Sequence, residues 1–86
     1  MTTTAVIETS IILPETDQMY RLAGIIYYHN CHFVCRVIDK SGQVWFHDGV
    51  VNGESAIYED NVINMPMKKL QRKGEYIMSI LIYSKF

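Results

Sequence analysis

The stretch "NCHFVCRVIDKSGQVWFHDG", Asn30 to Gly49, decides the fold of this chain. It holds both cysteines, two of the three histidines and the only tryptophan. Near its centre, Asp39 stands at the first position of a turn and Gly42 at the fourth. That pattern is typical of a type I turn followed by a left-handed glycine, which closes a three-residue hairpin loop with a bulge. The stretch is therefore predicted to be an antiparallel hairpin.

The turn fixes which residues lie opposite each other in this hairpin. The predicted pairs are Asp39 with Gln43, Ile38 with Val44, Arg36 with Phe46, and Val34 with Asp48. Because side chains alternate along a strand, Asp48 then lies on the face of His32 and diagonal to it, within side-chain reach. A two- or four-residue loop would shift the pairing by one residue, bring His47 beside His32 and turn Asp48 away. The turn sequence favours the first arrangement.

The remaining segments extend this hairpin into a small antiparallel sheet. Runs rich in β-branched and aromatic residues predict strands, while glycine, proline and asparagine mark the connections. The predicted strands are Val6–Leu13, Tyr20–Tyr28, His32–Ile38, Gln43–Asp48, a short stretch at Ala56–Tyr58, and Tyr76–Ser84. Residues 14–18 form a loop, and a tight connection is expected at His29 and Asn30. The predicted fold class is β-rich α+β, with an antiparallel sheet of about five strands and one short helix.

Two elements near the C-terminus complete this prediction. Met65–Arg72 is expected to form one or two helical turns, with Pro66 at an early helical position and Gly74 just past the end. Tyr76–Ser84 is apolar on both faces, which predicts a central, buried strand.

Length and composition limit the functions that the chain can have. Its 86 residues are 49% hydrophobic and 20% charged, which predicts one small folded domain over residues 1–86 rather than a disordered chain. The net charge is −1, so no nucleic-acid partner is expected. A basic cluster at helical spacing is interpreted as a solvated helix face; it comprises Lys68, Lys69, Arg72 and Lys73.

The sequence also bears on location and redox state. No apolar run approaches the ~20 residues that span a membrane, and "MTTTAVIETS" lacks the basic start and apolar centre of a signal peptide. No membrane partner is expected, and the predicted location is intracellular, in the cytoplasm or nucleus. Two cysteines do not make a disulfide framework. On one strand, Cys31 and Cys35 would lie roughly 13 Å apart, too far for a disulfide.

The predicted contact between His32 and Asp48 suggests one kind of chemistry. A histidine oriented by a carboxylate is the general base of nucleophilic hydrolases. The pair needs a nucleophile, and strand alternation turns Cys31 and Cys35 away from His32. The competing interpretation makes both cysteines small core residues and His32 a hydrogen-bonded strand histidine. No metal or cofactor is expected, because His29, Cys31, Cys35 and His47 match no closed zinc pattern.

The order of four segments carries a family resemblance. A strand with Tyr20 and Leu22 is followed by Cys31-His32-Phe33, by Trp45 with Phe46-His47-Asp48, and by the run Tyr76–Tyr83. This order resembles the C-terminal, histidine-bearing part of the ubiquitin-specific cysteine peptidase domain. That domain has a Y-x-L strand, a strand opening with Gly-His-Tyr, a Trp before Phe-Asp/Asn-Asp, and a closing aYxLfY strand. The resemblance covers about residues 11–85, so the chain is either a single small domain or the C-terminal half of a papain-like fold.

The resemblance implies that His32 is the general base. A gapless match places His47 at the third triad position, whereas the predicted register favours Asp48. The family's cysteine nucleophile belongs to an N-terminal box without a counterpart here, and its zinc fingers are absent. Cys31 replaces the family's glycine and would narrow a channel for the terminal glycines of a substrate. The chain also resembles tail segments of uncharacterised, transposase-associated proteins of mushroom-forming fungi, which brings no biochemistry.

Three hypotheses about function follow. The chain is a non-catalytic interaction module, half of a split or truncated cysteine peptidase completed by another chain's cysteine, or a self-associating structural domain. A small sheet with one short helix is expected to leave apolar side chains uncovered, namely Ile25, Tyr27, Met78, Ile80 and Ile82. A homodimer, or a ubiquitin-like or other protein partner, would cover them. The chain alone is not expected to be an enzyme.

Overall fold

The computed structural model describes residues 7–48 and 56–85. These residues form one antiparallel sheet of seven strands, with a 3₁₀ helix at Val62–Asn64 and a single α-helix, α1, at Met67–Gln71. The strands are β1 Ser10–Leu13, β2 Gln18–His29, β3 His32–Ile38, β4 Gln43–His47, β5 Ile57–Asn61, β6 Arg72–Lys73 and β7 Tyr76–Lys85. The strand-rich class is confirmed, and the expected strand number of about five is too low.

The strands lie in the order β5-β4-β3-β2-β7-β6, and β1 pairs with the first residues of β2 beside β3. The additional strands are short: β6 has two residues, which carry no periodic pattern that a sequence could reveal. The first strand begins at Ser10 rather than Val6, which lies outside the described residues. The fifth runs to Asn61 rather than Tyr58.

The hairpin of β3 and β4 has the predicted register. Asp39 and Gln43 are joined by a backbone bond of 3.0 Å, and the Gly42 amide donates to the Asp39 carbonyl at 2.9 Å. Gly42 has a φ of +85°, the left-handed conformation that this loop demands. Ile38 pairs with Val44 and Arg36 with Phe46, as the turn sequence predicted.

The connection between β2 and β3 is a two-residue turn at Asn30 and Cys31, one residue later than expected. Both residues have positive φ, +47° and +63°, which is the backbone of a type I′ hairpin turn. His29 and His32 therefore lie opposite each other. Cys31 is exposed at the turn, so the interpretation of Cys31 as a core residue on a regular strand is wrong.

The helical segment is shorter than its sequence suggested. Pro66 precedes α1 instead of lying inside it, and the helix ends at Gln71 because Arg72 has extended backbone. Gly74, with a φ of +62°, serves the turn between β6 and β7 rather than the end of the helix. Gly74 was expected to follow the helix directly, whereas β6 lies between the helix and this glycine.

Strand β7 is not a central, buried strand. One of its edges pairs with β2 along most of its length, whereas its other edge pairs with β6 only at Tyr76 and Ile77. Ile77, Ile80 and Ile82 are about half exposed. The apolar character on both faces has a different cause: both faces of the sheet are apolar, and only one is covered.

We call the covered side of the sheet the core face. It buries side chains from the three neighbouring strands β2, β3 and β4, which pack with Ile7, Met65 of the turn after the 3₁₀ helix, and Leu70 of α1. The buried strand residues are Leu22, Ile25, Tyr27, Val34, Ile38 and Val44. The expectation that Ile25 and Tyr27 are uncovered is therefore wrong, because α1 and the segments beside it cover them. Met78 is likewise not uncovered, since it is partly buried against this core.

Candidate functional site

The predicted pair of His32 and Asp48 is formed. His32 opens β3, Asp48 follows the last residue of β4, and the His32 Nε2 atom lies 3.0 Å from Asp48 Oδ1. The histidine side chain is 32% exposed and the aspartate 14%, so the imidazole remains accessible beside a largely buried carboxylate. The hairpin register produces this contact directly, since it places Asp48 diagonal to His32.

A second histidine shares this end of the sheet. His29 Nε2 lies 3.2 Å from Glu75, whose side chain is 84% exposed, and both His29 and His32 meet the ring of Tyr76 edge-on. Each histidine thus has its own carboxylate and a common aromatic neighbour.

Neither cysteine completes a catalytic triad with His32. Cys35 pairs with Ile26 and His47 on the opposite face of the sheet from His32, and burial raises the pKa of its thiol. Cys31 is exposed in the turn that precedes His32. A nucleophile needs a thiolate within hydrogen-bonding distance of its base, and the sheet directs the Cys35 thiol the other way.

The core face contains a charged cluster that the sequence did not reveal. Arg36 is 1% exposed, and its Nε donates to Glu59 at 2.6 Å. Lys73 reaches the other oxygen of Glu59, also at 2.6 Å. The one available signal was the position of Arg36 between the apolar residues Val34 and Ile38 on one face of its strand. If that face is buried, the arginine requires a carboxylate partner from elsewhere in the chain.

This cluster holds α1 and β6 against the sheet. Arg36 donates to the backbone carbonyls of Lys69 and Arg72, and Tyr27 donates its hydroxyl to the Leu70 carbonyl at 2.6 Å. These carbonyls at the end of a short helix would otherwise lack partners. The arrangement is structural, because every contact that it makes is internal.

Charge pairing governs the ionisation of the cluster. Burial disfavours the charged form of Glu59, but hydrogen bonds from Arg36 and Lys73 outweigh it and lower the pKa of Glu59. Burial likewise opposes the charge on Arg36, and the bond to Glu59 outweighs it, so the pKa of Arg36 is raised. Both groups therefore remain charged at neutral pH.

The other side of the sheet, which we call the outer face, presents three rows of side chains. The registers of neighbouring strands define them. The first row is Tyr58, Trp45, Val37, Gly24 and Ile82; the middle row is His47, Cys35, Ile26 and Ile80; the third is Phe33, Tyr28, Ile77 and, on the edge strand β6, Arg72. Of these residues Arg72 alone is charged, and it lies at the edge of the sheet.

The outer face is both apolar and open. Apart from Ile26, which is more buried, its large apolar side chains are between 37% exposed, at Trp45, and 56% exposed, at Ile77. With about 200 Å² for a whole large side chain, the half-exposed residues of the three rows present roughly 800 Å² of apolar surface. The largest apolar patch of a typical monomer is about 300–600 Å², whereas a stable interface buries about 800 Å² on each partner. The outer face is therefore of interface size.

Other kinds of site find less support. Among residues 7–48 and 56–85, no three histidine, cysteine, aspartate or glutamate side chains are grouped so that they could hold a metal ion. No helix in the same part of the chain is long and apolar enough to cross a membrane. Comparison with family models, curated proteins and solved structures finds no match to this chain.

Proposed function

We propose that this chain is a non-catalytic, self-associating module, and that two copies pack together through their outer faces. The observation that carries the proposal is the half-exposed apolar surface of the three rows, whose one charged residue, Arg72, lies at the edge of the sheet. Burial of such a surface is favourable in proportion to its area. The area of the outer face matches the area that each partner buries in a standard interface.

A second copy of the chain is the partner that suits this surface. An isologous interface places the same patch on both sides, so any net charge on the patch would meet its own sign. The one charged residue of the rows, Arg72, lies on the edge strand β6, so the apolar centre of the outer face can pack against its own copy while Arg72 stays at the solvent-exposed rim. Two such sheets would pack about 10 Å apart with strands crossing at about 30°.

The experiment compares two lysine substitutions by light scattering over a dilution series. Val37 is 47% exposed in the first row, and Val37→Lys places a charge inside the proposed interface twice per dimer. Ile63 lies on the 3₁₀ helix, away from the outer face, and is 85% exposed. Ile63→Lys is the matched control, since it removes a more exposed hydrophobic side chain.

Val37→Lys is expected to weaken association at least ~100-fold, because each copy would bury an unpaired charge. Ile63→Lys is expected to leave association unchanged. Equal association of Val37→Lys and the unmodified chain would refute the proposal. A monomeric unmodified chain that binds ubiquitin or another protein through this face would replace the second copy by that partner.

The pair of His32 and Asp48 supports a second candidate function, the histidine-bearing half of a cysteine peptidase. The contact of 3.0 Å has the geometry of a base and its orienting acid. Such a half would need a nucleophilic cysteine from another chain. A ubiquitin-derived electrophile tests whether the chain alone is active. Labelling that His32→Ala abolishes would show that one of the chain's own cysteines is the nucleophile, and no labelling would exclude catalysis by the chain alone.

A further inference from the structure

Two side chains in the middle row of the outer face carry metal-binding atoms. Cys35 and His47 lie directly opposite each other on β3 and β4. Opposite residues on one face of an antiparallel pair have Cβ atoms about 4.5–5.5 Å apart. A thiolate and an imidazole on one zinc ion stand about 3.6 Å apart, so side chains at this spacing can converge on a common ion.

The pair supplies half of a closed zinc site. Structural zinc takes four ligands in a tetrahedron, and two cysteines with two histidines are a common set. No third suitable side chain joins this pair among the residues that the structure describes. A second copy of the same face, which the proposed dimer brings against the first, would supply the other two ligands.

We propose that two copies of the chain bind one zinc ion between them, through Cys35 and His47 of each copy. The inference rests on the proposed self-association and adds a ligand to the same surface. Hydrophobic neighbours surround the pair: Phe33 and Val37 precede and follow Cys35 on its face, and Trp45 precedes His47. Apolar surroundings exclude water from a bound metal and strengthen its bonds.

The charge balance of this site suits an apolar interface. Each zinc ion displaces one thiol proton from Cys35 of each copy, and the two protons pass to solvent. Two thiolates and two neutral imidazoles then neutralise the two positive charges of zinc.

The test measures association and metal content together on the full chain. Light scattering over a dilution series is run with a chelator and then with half an equivalent of Zn²⁺ per chain. Zinc is expected to tighten association by at least about tenfold and to be retained at one ion per two chains. Co²⁺ in place of zinc should show the charge-transfer absorption of a thiolate-bound, tetrahedral ion.

Three variants assign these effects to residues. Cys35→Ser and His47→Ala should each abolish the zinc effect, and Cys35→Ser should abolish the thiolate band. Cys31→Ser is the matched control, because Cys31 is an exposed cysteine in a turn rather than on the outer face. It should behave as the unmodified chain does.

The outcomes separate the two proposals. A dimer whose association is changed by neither chelator nor zinc overturns the metal site but is consistent with self-association. A zinc effect that survives Cys35→Ser, or one that disappears in Cys31→Ser, also overturns the site. A monomer under every condition, zinc included, overturns both proposals.

Discussion

Replacing Glu59 by glutamine removes the charge that neutralises Arg36 while the side chain keeps its size. The two side chains are 2% and 10% exposed, so the Arg36 charge would remain in a largely dry environment without its counter-ion. Removal of one partner from a buried ion pair costs about 3–5 kcal/mol. Glutamine retains an amide oxygen that can accept from Arg36, which places the expected loss near the lower limit, about 3 kcal/mol.

Such a loss is large for this chain. A domain of 86 residues is expected to have a free energy of unfolding of about 4–13 kcal/mol. The assay is urea unfolding followed by far-ultraviolet circular dichroism, at one protein concentration because association adds to apparent stability.

Glu75→Gln is the matched control for this prediction. It makes the same chemical change in a carboxylate that is 84% exposed and lies beside His29. A surface pair of this kind contributes at most about 1 kcal/mol, so Glu75→Gln should change the free energy of unfolding little. A loss below about 1 kcal/mol for Glu59→Gln, or equal losses in the two variants, would show that Arg36 does not depend on Glu59.

Three further predictions concern the hairpin turn, acid stability and the thiols. Cys31→Gly should raise the free energy of unfolding by about 0.5–1 kcal/mol in urea titrations, because glycine accepts the positive φ of this turn without strain; a loss of stability would contradict the strained turn. The lowered pKa of Glu59 gives stability that is complete above pH ~4.5 and is lost as pH falls through the folded-state pKa. The free energy of unfolding should therefore fall less steeply with decreasing pH in Glu59→Gln than in the unmodified chain, and an equally steep fall in both would refute this. A disulfide reagent should modify Cys31 at least about tenfold faster than Cys35, since Cys31 is exposed and burial raises the pKa of Cys35. Peptide mapping of the modified thiols measures the two rates, and equal or faster modification of Cys35 would contradict this prediction.

The local features of the fold could be predicted because their causes are local. Asp39 and Gly42 determine the loop between β3 and β4, and the loop determines the register. The contact between His32 and Asp48 followed from that register alone. Its catalytic meaning stays a prediction.

The features that sequence reasoning missed depend on distant parts of the chain. Arg36 and Glu59 are separated by 23 positions, and nothing near either residue identifies the other. The apolar run of β7 resembles a central strand. The order of the strands, which places β7 next to the short edge strand β6, cannot be read from that run. The cover over Ile25 and Tyr27 comes from segments that follow β5, including a helix too short to have a clear amphipathic period.

The outer face was visible only in part from sequence. Ile80 and Ile82 were expected to be uncovered, and they are. The remaining members of the three rows could not be grouped from sequence, because the grouping requires knowing which strands are neighbours. Once the registers are fixed, Trp45, Val37 and Gly24 lie in one row although they come from three strands.

The measurement that tests self-association most directly is the mass of the unmodified chain in solution, by light scattering from about 100 μM down to 1 μM. The account predicts a species of twice the chain mass of 10.0 kDa that dissociates only on dilution. A species of 10.0 kDa at every concentration, with the outer face open to solvent, would contradict it.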